Sequence, residues 1–310
     1  MNIVLASDNG YIDHCATTMT SIMVNNKDVH VFILTEWLSD ENIERLNRLA
    51  NIYGGTVEII QVDGDKVKKL PMPKLQSLSH ISLATYYRLF IANLLPENIE
   101  KVIYLDCDII VRKSLDEMWN IDIEHYALGA VYQIASWNVE AITRLGYNPQ
   151  YGYFNAGVLL INLKYWRDNS IQDLFIKSVR EIGERIVYHD QDILNYALHD
   201  STLRLSCKYN MLTSYFTKSI YYICDMDANG KVFNNHDDYK RVLKGEIKDP
   251  CIIHYVSRPK PWDKQCTHPF RNDYIKYAKM CDAYNDLGFK DDCYYILKEM
   301  LRKIGFSYYV

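Results

Sequence analysis

Two aspartates separated by one residue follow an apolar run in the first half of the chain. Asp106 and Asp108 come directly after residues 102–105, Val-Ile-Tyr-Leu, which predict a buried strand. Side chains at positions i and i+2 leave a strand on the same face, so the two carboxylates would repel each other unless a cation lay between them. Carboxylate oxygens suit Mg²⁺ or Mn²⁺, and either ion binds diphosphate oxygens. The alternative is a solvated turn, where aspartate is common.

A histidine and a lysine near residue 260 could belong to the same site. His254 ends a late apolar run, and imidazole accepts Mn²⁺ as readily as carboxylate does. Residues 258–262 read Arg-Pro-Lys-Pro-Trp, and the two prolines would stiffen a loop that carries Lys260. A lysine fixed beside a metal can hold a diphosphate leaving group. The alternatives are a satisfied histidine at a strand edge and an exposed lysine in a proline turn.

Polar residues at the ends of other predicted elements could complete a ligand site. Asp8 follows the first predicted strand, where α/β folds bind nucleotides, and Tyr11 could stack on a base. Arg88 could clamp a phosphate or a carboxylate, and residues 190–192, Asp-Gln-Asp, open a predicted helix where they could hold sugar hydroxyls. Each also has an ordinary structural interpretation: a cap, a packed ring, a solvated charge and acidic residues that favour a helix dipole.

Alternating apolar runs and helical patterns indicate how these residues would be positioned. Strands are predicted at residues 2–6, 29–34, 56–62, 101–105, 126–132, 154–163 and 251–256. Helices are predicted at residues 15–24, 39–52, 83–95, 170–182 and 190–198, and an irregular loop over a site at 133–152. Strands that alternate with helices predict a mainly parallel sheet with helices on both faces, and ligands bind at the carboxyl edge of such sheets.

The C-terminal part of the chain has a different pattern. From about residue 270 the sequence is aromatic, amphipathic and helical. We therefore expect one α/β domain at residues 1–265 and a helical appendage at residues 266–310. Residues 293–306 are amphipathic, and they predict either a helix packed on the domain or a peripheral contact with a membrane surface.

Composition limits the possible classes of function. Of 310 residues, 48% are hydrophobic and 24% charged, which allows a sizeable core and excludes a disordered chain. The net charge of -4 argues against a nucleic-acid-binding protein, because binding phosphates needs a clustered basic surface. The eight cysteines form no CxxC pair, and the N-terminus lacks the pattern of a signal peptide. We expect free thiols and a cytoplasmic location.

Four well-known catalytic motifs are absent from the sequence: GxGxxG, GxxxxGK[ST], HExxH and GxSxG. Their absence argues against a dinucleotide oxidoreductase, a P-loop NTPase, a zinc protease and an α/β-hydrolase. A nucleotidyltransferase also uses paired aspartates and a metal, but it needs a glycine-rich, basic triphosphate loop near the first strand. Residues 8–11, Asp-Asn-Gly-Tyr, are not basic.

Six segments of the chain occur in an order that is typical of one enzyme family. They are residues 3–8, Ile-Val-Leu-Ala-Ser-Asp; residues 80–88, His-Ile-Ser-Leu-Ala-Thr-Tyr-Tyr-Arg; residues 102–108, Val-Ile-Tyr-Leu-Asp-Cys-Asp; residues 153–163, Tyr-Phe-Asn-Ala-Gly-Val-Leu-Leu-Ile-Asn-Leu; residues 190–195, Asp-Gln-Asp-Ile-Leu-Asn; and His254 through Lys260-Pro261-Trp262. Together they resemble glycosyltransferase family 8, the retaining family that includes bacterial lipooligosaccharide galactosyltransferases and glycogenin. Six such segments in the family's order are hard to obtain by chance.

The resemblance implies the GT-A fold, a Rossmann-like nucleotide-diphospho-sugar transferase fold, for residues 1–265. It implies a retaining transfer of galactose or glucose from UDP-galactose or UDP-glucose to a hydroxyl of a glycan, a lipid-linked glycan or a glycoprotein. Mn²⁺ would be the metal, with Mg²⁺ as an alternative. The enzyme would work in the cytoplasm, or at the inner face of the membrane if the acceptor is lipid-linked. The competing hypothesis is a non-catalytic nucleotide-sugar-binding protein that retains the fold.

Matching positions in the family imply roles for individual residues. The metal ligands would be Asp106, Asp108 and His254; the uridine contacts Ala6, Asp8 and Tyr11; the donor-sugar contacts Arg88, Asn155 and Asp190; and the diphosphate contact Lys260. Asp190 and Gln191 are the catalytic candidates, because Gln191 matches a residue near the reacting face of the donor sugar. Cys107 and Ser257 complete the donor-binding set, although we expect the side chain of Cys107 to point away from the carboxylates into packing.

Two positions depart from the family pattern. Ser257 stands where the family often has glycine, and Gln133 stands where many members have an acidic residue near the acceptor. The transfer step has two interpretations. The acceptor could attack on the same face while a phosphate oxygen of UDP takes its proton, or a covalent intermediate could form. A covalent route needs a nucleophile, and Asp190 is chemically better than the neutral amide of Gln191.

Overall fold

Two β-sheets, formed by strands in the described part of the chain, set the architecture. The structure, a computed structural model, describes residues 1–63, 84–132, 137–216 and 245–283. The strands of these residues are β1 (Asn2–Ala6), β2 (His30–Thr35), β3 (Thr56–Gln61), β4 (Lys101–Leu105), β5 (Ile109–Val111), β6 (Leu128–Tyr132), β7 (Phe154–Asn162), β8 (Thr202–Arg204), β9 (Met211–Leu212) and β10 (Ile252–His254).

Seven of these strands form a mainly parallel sheet in the order β3-β2-β1-β4-β7-β6-β8. β1 pairs in parallel with β2 and β4, and β7 runs antiparallel to its neighbours β4 and β6. A second sheet has the order β5-β10-β9. The predicted mainly parallel sheet is confirmed, and β4, which Asp106 follows directly, is its middle strand.

Helices cover both faces of the larger sheet, as predicted. The α-helices are α1 (Ile12–Asn25), α2 (Asp40–Tyr53), α3 (Ala84–Tyr87), α4 (Ile91–Leu94), α5 (Asp116–Trp119), α6 (Trp137–Leu145), α7 (Leu163–Asp168), α8 (Ile171–Ile182), α9 (His189–Leu198) and α10 (Arg271–Met280). Ile3 and Leu5 pack in the apolar cluster under α1 and α2, whereas Val4 packs in the cluster under α7, α8 and α9. Because β1 is buried on both faces, its sequence is a continuous apolar run.

Helix α2 shows how local sequence sets the ends of an element. The hydroxyl of Ser39 accepts a hydrogen bond from the backbone N–H of Asn42 and so caps the first turn. Gly54 ends the helix in the left-handed conformation, with φ of 75°, which glycine adopts without steric cost. The helix predicted at residues 39–52 is confirmed as α2.

The prediction of one continuous helix at residues 83–95 is wrong. The described part consists of α3, a 3-10 turn at Arg88–Phe90 and α4. The carbonyl of Thr85 accepts a hydrogen bond from Arg88 Nε at 3.1 Å, so a side chain competes for an acceptor of the helix ladder. The interruption lets the guanidinium of Arg88 turn inward, toward the carboxyl edge of the sheet.

The prediction of an irregular loop at residues 133–152 is also wrong. Helix α6 and a 3-10 turn at Pro149–Tyr151 occupy most of it. Asn138, Ala141, Ile142 and Leu145 are buried, and their spacing of i, i+3, i+4 and i+7 is that of a helix face. The glycines and the proline that suggested a loop all follow this helix. Residues 133–136 lie outside the described residues.

Helix α10 lies where the sequence predicts C-terminal helical patterning. It packs against α1, where Tyr274 bonds to His14 at 2.6 Å and the hydroxyl of Tyr277 accepts from Asn25 Nδ2 at 2.8 Å. A domain boundary at residue 265 stays a prediction, and residues 293–306 lie outside the described part of the chain. Within that described part, none of the helices combines the length and the apolar character that a membrane span needs.

Arg167, on α7, holds the chain segment that enters β4. Its guanidinium donates at 2.8–3.2 Å to five backbone carbonyls, those of Ala92, Leu95, Pro96, Glu97 and Ile99. Two of these carbonyls, those of Ala92 and Leu95, lie in the last turn of α4, where carbonyls lack a helical partner. A planar guanidinium with five N–H groups can serve all of them at once, whereas an ammonium group cannot.

Arg167→Lys is therefore expected to lower the free energy of unfolding by about 1 to 2 kcal/mol, because part of this carbonyl cluster loses its donors. Urea denaturation followed by circular dichroism measures the change. Arg48→Lys, an exposed position on α2, is the matched control and is expected to shift the unfolding free energy by less than about 0.5 kcal/mol. Equal stability of the two variants would contradict the assigned role of Arg167.

Candidate active site

Two aspartates and a histidine are brought together where the two sheets meet. β4 ends at Leu105, and the chain turns through residues 106–108 before it enters β5. β10 pairs antiparallel with β5, so His254 lies opposite Ile109, and the backbone N–H of Tyr255 donates to the carbonyl of Asp108 at 3.0 Å. The aspartates thus lie in a turn just past the strand, and the register of the smaller sheet places His254 beside them.

The side chains of Asp106, Asp108 and His254 form a candidate metal site. His254 Nε2 lies 3.1 Å from Asp108 Oδ1 and 3.8 Å from Asp106 Oδ2, and one ligand atom from each residue lies within 4.8 Å of the others. Two carboxylates and one imidazole suit a divalent ion. His254 is buried, whereas both aspartates are partly exposed, so a ligand could reach the carboxylate side. The set fits a divalent metal.

Lys260 lies directly beside this set of ligands. Its Nζ donates to Asp108 Oδ2 at 2.6 Å and to the carbonyl of Tyr255 at 2.6 Å. Burial alone would raise the pKa of Asp108, but the charge of Lys260 and the contact with His254 outweigh burial and hold this pKa well below its usual range. Asp108 is therefore ionised at neutral pH, as a metal ligand must be.

Arg88 joins Asp106 to a second carboxylate. Its buried guanidinium donates from Nη2 to Asp106 Oδ1 at 2.7 Å, and its Nε lies 2.9 Å from Asp190 Oδ2. The hydroxyl of Tyr104 donates to the same Asp106 oxygen at 3.0 Å, and its ring lies 4.3 Å from the guanidinium carbon. Arg88 is therefore not a solvated charge, because it is buried and paired with two carboxylates of the protein. A contact between Arg88 and a ligand stays a prediction.

Asp190 is a buried carboxyl with spare capacity to accept a hydrogen bond. Burial raises its pKa to about 7, although the charge of Arg88 opposes the rise. Among the described residues, its Oδ2 accepts no hydrogen bond, because the Nε of Arg88 is close but donates to the carbonyl of Thr85. A buried acceptor left in this state can take a hydroxyl donor from a ligand.

The buried amide of Asn155 and the partly buried amide of Gln191 form a hydrogen-bonded pair. Gln191 Oε1 accepts from Asn155 Nδ2 and from the backbone N–H of Ala156, each at 3.1 Å. Gln191 Nε2 donates to the hydroxyl of Tyr153 at 3.1 Å, and that hydroxyl donates to Asp192 Oδ1 at 2.7 Å. The predicted sugar contacts at 155, 190 and 191 therefore converge, whereas Asp192 is fully buried and anchors the start of α9.

Asp8 and Tyr11, the predicted uridine contacts, lie just past the end of β1. Asp8 Oδ1 accepts from the backbone N–H of Tyr11 at 2.9 Å and so acts as a cap. The ring of Tyr11 lies 4.4 Å from that of His14 and 5.9 Å from that of Trp262, measured between centroids. Burial, and after it the charge of Asp108, raises the pKa of Tyr11. Their contacts with uridine stay predictions.

Cys107, Ala6 and Ser257 complete the predicted donor-binding set. The side chain of Cys107 is buried in the apolar cluster under α1, as predicted, and its Sγ–H donates to the carbonyl of Ala6 at 3.2 Å. Ser257 is exposed and has a φ of 71°, in the left-handed region that favours glycine. The departure from the family pattern thus falls where glycine would fit best.

Gly157 is required by the close approach of two metal-site side chains. A Cβ added there would lie 2.2 Å from His254 Cε1 and 2.7 Å from Asp106 Oδ2, distances that no side chain can occupy. The carbonyl of Gly157 also accepts from the backbone N–H of Asp106 at 2.9 Å. Glycine at position 157 therefore lets β7 run directly against the side chains of His254 and Asp106.

Three residues that support the site are not among the predicted site residues: Tyr104, Gly157 and Asn210. Tyr104 and Gly157 lie inside two of the six segments, so those segments offered a signal for them. Asn210, whose Oδ1 lies 3.0 Å from His254 Nδ1, belongs to no motif and gave none. Gln133, predicted to lie near the acceptor, and residues 80–83 lie outside the described residues.

Comparisons with known proteins bear on the same site. The family model described as glycosyl transferase family 8 matches residues 2–266. The chain is 27% identical to general stress protein A of Bacillus subtilis, over 93% of the chain and 96% of that protein. It is 26% identical to the lipopolysaccharide 1,2-glucosyltransferase of Escherichia coli, over 94% of the chain and 80% of that protein.

A solved structure shows the same fold. The crystal structure of the galactosyltransferase LgtC, in complex with donor and acceptor sugar analogues, matches with a TM-score of 0.75. Its sequence is 26% identical, and the match covers 94% of the chain and 98% of that structure. The predicted GT-A fold is confirmed.

Gly157→Ala is expected to weaken Mn²⁺ binding by at least about 10-fold, because the added methyl group displaces the ring of His254 from the two carboxylates. Electron paramagnetic resonance of unbound Mn²⁺ during a titration measures the affinity. Gly245→Ala is the matched control, since a Cβ at that position meets nothing within 4 Å. Wild-type affinity in Gly157→Ala would show that the position of His254 does not matter for the metal.

The buried carboxyl of Asp190 predicts a pH-dependent loss of stability. Its pKa is about 7 in the folded protein and roughly 3.9 in an unfolded chain, so the folded state keeps a proton that the unfolded state releases. Stability therefore falls as pH rises from about 4 to about 7 and levels off above. Asp190→Asn removes this dependence. Between pH 5 and pH 8, the free energy of unfolding of Asp190→Asn is expected to rise by on the order of 2 kcal/mol relative to that of wild type.

Urea denaturation at several pH values measures the difference between Asp190→Asn and wild type. Asp168→Asn, at an exposed carboxyl on α7, is the control. An Asp190→Asn curve that runs parallel to the wild-type curve would contradict the raised pKa.

Proposed function

The chain belongs to glycosyltransferase family 8, and on that premise we propose that it is a Mn²⁺-dependent retaining hexosyltransferase. It moves galactose or glucose from a UDP-sugar to a hydroxyl of a glycan or glycoconjugate acceptor. The observation that carries the proposal is the group of Asp106, Asp108 and His254 with Lys260 beside it. One relative is a glucosyltransferase and another a galactosyltransferase, which supports both hexoses as candidates.

Asp106, Asp108 and His254 would hold the metal. A divalent ion supplies a Lewis acid that neutralises negative charge on the diphosphate of the leaving UDP. Mn²⁺ suits the mixed oxygen and nitrogen ligands, and Mg²⁺ is the alternative because two of the three ligands are carboxylates.

Lys260 provides the second positive charge for the diphosphate. Its Nζ is 2.6 Å from Asp108 Oδ2, so it stands at the edge of the metal site. The backbone N–H of Lys260 donates to Asp263 Oδ2 at 2.7 Å, which fixes the loop. A preorganised charge of this kind lowers the barrier most when it faces the place where negative charge develops.

Arg88, Asn155 and Asp190 would bind the hydroxyls of the donor sugar. The free oxygen of Asp190 is an acceptor for a hydroxyl, and Arg88 keeps this carboxyl beside Asp106. The metal side and the sugar side of the site are therefore joined by one guanidinium. Ala6, Asp8 and Tyr11 would contact the uridine at the end of β1.

The hydrogen bonds of Gln191 argue against this residue as the nucleophile of a covalent route. Both lone pairs of its Oε1 accept hydrogen bonds, from Asn155 and Ala156, so neither is free to attack a sugar carbon. We favour attack on the same face, because Asp190, the other candidate nucleophile, is assigned to the hydroxyls of the donor sugar. The acceptor hydroxyl forms the new bond to the anomeric carbon as the bond to UDP breaks. Its proton passes to a phosphate oxygen of UDP, so no protein base is needed.

Residues 1–265 would form the catalytic domain, and the family match to residue 266 supports this division. The C-terminal appendage, the cytoplasmic location and a peripheral membrane contact stay predictions.

Release of UDP from UDP-galactose and UDP-glucose, with and without Mn²⁺, tests the proposed function. Wild type is expected to hydrolyse one of the two donors slowly and only with metal. Asp108→Ala is expected to lower the rate of UDP release by at least about 100-fold, because the substitution removes one metal ligand that is also the partner of Lys260. Asp168→Ala, which removes an exposed carboxyl that pairs with Lys164, is the control.

Two results would contradict the proposal. Equal, metal-independent activity in wild type and Asp108→Ala would exclude the metal site. Tight binding of UDP without turnover of any donor or acceptor would favour the competing hypothesis, a nucleotide-sugar-binding protein that retains the fold.

A further inference from the structure

Asn210 has a buried side-chain amide that contacts Nδ1 of His254, whereas Nε2 of the same ring faces Asp106 and Asp108. It follows the 3-10 turn at Cys207–Tyr209 and precedes β9, which pairs with β10 so that Leu212 lies opposite His254. The side chain of Asn210 is fully buried. Its Oδ1 lies 3.0 Å from His254 Nδ1, and its Nδ2 lies 2.8 Å from Asn155 Oδ1.

Backbone N–H groups fix the direction of the hydrogen bonds around Asn155. The N–H of Gly157 donates to Asn155 Oδ1 at 2.9 Å, and a backbone N–H can only donate. The N–H of Ala156 donates to Gln191 Oε1 in the same way, so that oxygen must accept from Asn155 Nδ2. Both ends of the Asn155 amide are thus assigned independently, and the two assignments agree.

The direction of these bonds determines the direction of the next amide. Because Asn155 Oδ1 is an acceptor, Asn210 must present its Nδ2 group to it. The Oδ1 of Asn210 then faces His254 Nδ1. An amide oxygen only accepts, so Nδ1 of His254 must carry a proton. This leaves Nε2, the nitrogen that faces Asp106 and Asp108, as the metal ligand.

We propose that Asn210 is a positioning residue that holds the proton on Nδ1 of His254 and so presents Nε2 to the metal. The role of the metal in this inference rests on the proposed function. A hydrogen-bond partner on the ring nitrogen that does not bind the metal orients a metal-bound histidine and fixes its tautomer. Asn155 has a second task as well, because the same amide that is a candidate sugar contact sets the orientation of Asn210.

Two substitutions of similar size separate this role from simple packing. Asn210→Leu keeps the volume but removes the acceptor, and it is expected to weaken Mn²⁺ binding by about 10- to 100-fold. Asn210→Asp keeps an acceptor for Nδ1–H but loses the hydrogen bond donated to Asn155 Oδ1. It is therefore expected to bind Mn²⁺ more tightly than Asn210→Leu. A packing role predicts the reverse order, since a buried carboxylate is harder to accommodate than leucine.

Asn26→Leu is the matched control for the loss of a buried asparagine. Asn26 donates to the carbonyl of Ile22 and accepts from the backbone N–H of Leu115, away from His254. This variant is expected to be less stable than wild type but to keep its Mn²⁺ affinity. Isothermal titration calorimetry with Mn²⁺ alone measures all four proteins.

A nuclear magnetic resonance measurement reads the proton directly and does not need the metal. In protein labelled with ¹⁵N-histidine, the Nδ1–H signal of His254 is assigned by its absence from His254→Gln. Wild type and Asn210→Asp are expected to keep a slowly exchanging Nδ1 proton, and Asn210→Leu is expected to lose it. If Asn210→Leu keeps both the proton and the Mn²⁺ affinity, the proposal is wrong.

The two readouts distinguish this inference from the proposed function. Failure of wild type to bind Mn²⁺ would contradict the proposed function, while the Nδ1 signal of the metal-free protein would still decide the role of Asn210. If Asn210→Leu does not fold, Asn210→Asp decides alone, and loss of the protected Nδ1 proton in that variant overturns the proposal.

Discussion

Three carboxylates share one edge of the central sheet, and the site depends on how their repulsion is balanced. Arg88 lies between Asp106 and Asp190, while Lys260 and His254 lie against Asp108. Like charges this close shift each other's pKa strongly unless opposite charges stand between them. Arg88 and the segment that carries both His254 and Lys260 lie far apart in the chain. The chain must therefore fold before these carboxylates can lie close together. A bound divalent cation would add its positive charge to the charges of Arg88 and Lys260.

The smaller sheet and the hydrogen-bonded amides fix the positions of the side chains in this site. The register of β5 against β10 sets His254 beside the turn after β4. From His254 a line of hydrogen bonds runs through Asn210 and Asn155 to Gln191 and Tyr153. The predicted diphosphate side and the predicted sugar side are thus parts of one hydrogen-bonded network. A donor that spans both sides would contact side chains that hold one another in place through hydrogen bonds. Such preorganised groups suit a transfer in which no protein side chain acts as the base.

Much of this arrangement could be predicted from the sequence. Continuous apolar runs give the buried strands, and the position of Asp106 and Asp108 after such a run predicts the metal site. The interrupted helix around Arg88 could not be predicted, because it arises from a hydrogen bond to Thr85 and from carboxylates elsewhere in the fold. Asn210 gave no signal either. Its partners lie 44 and 55 positions away in the chain, and a local pattern contains no information about such contacts.

The most direct test asks whether a metal lies between Asp106, Asp108 and His254 and meets the diphosphate of the donor. Crystals grown with Mn²⁺ and UDP, with anomalous diffraction recorded at the manganese absorption edge, would locate the ion without assumptions about the protein. The expected result is one strong anomalous peak among the three side chains, with diphosphate oxygens against it and Lys260 Nζ on their other side. Ordered UDP with no anomalous peak at these three residues would contradict the metal site and the mechanism built on it.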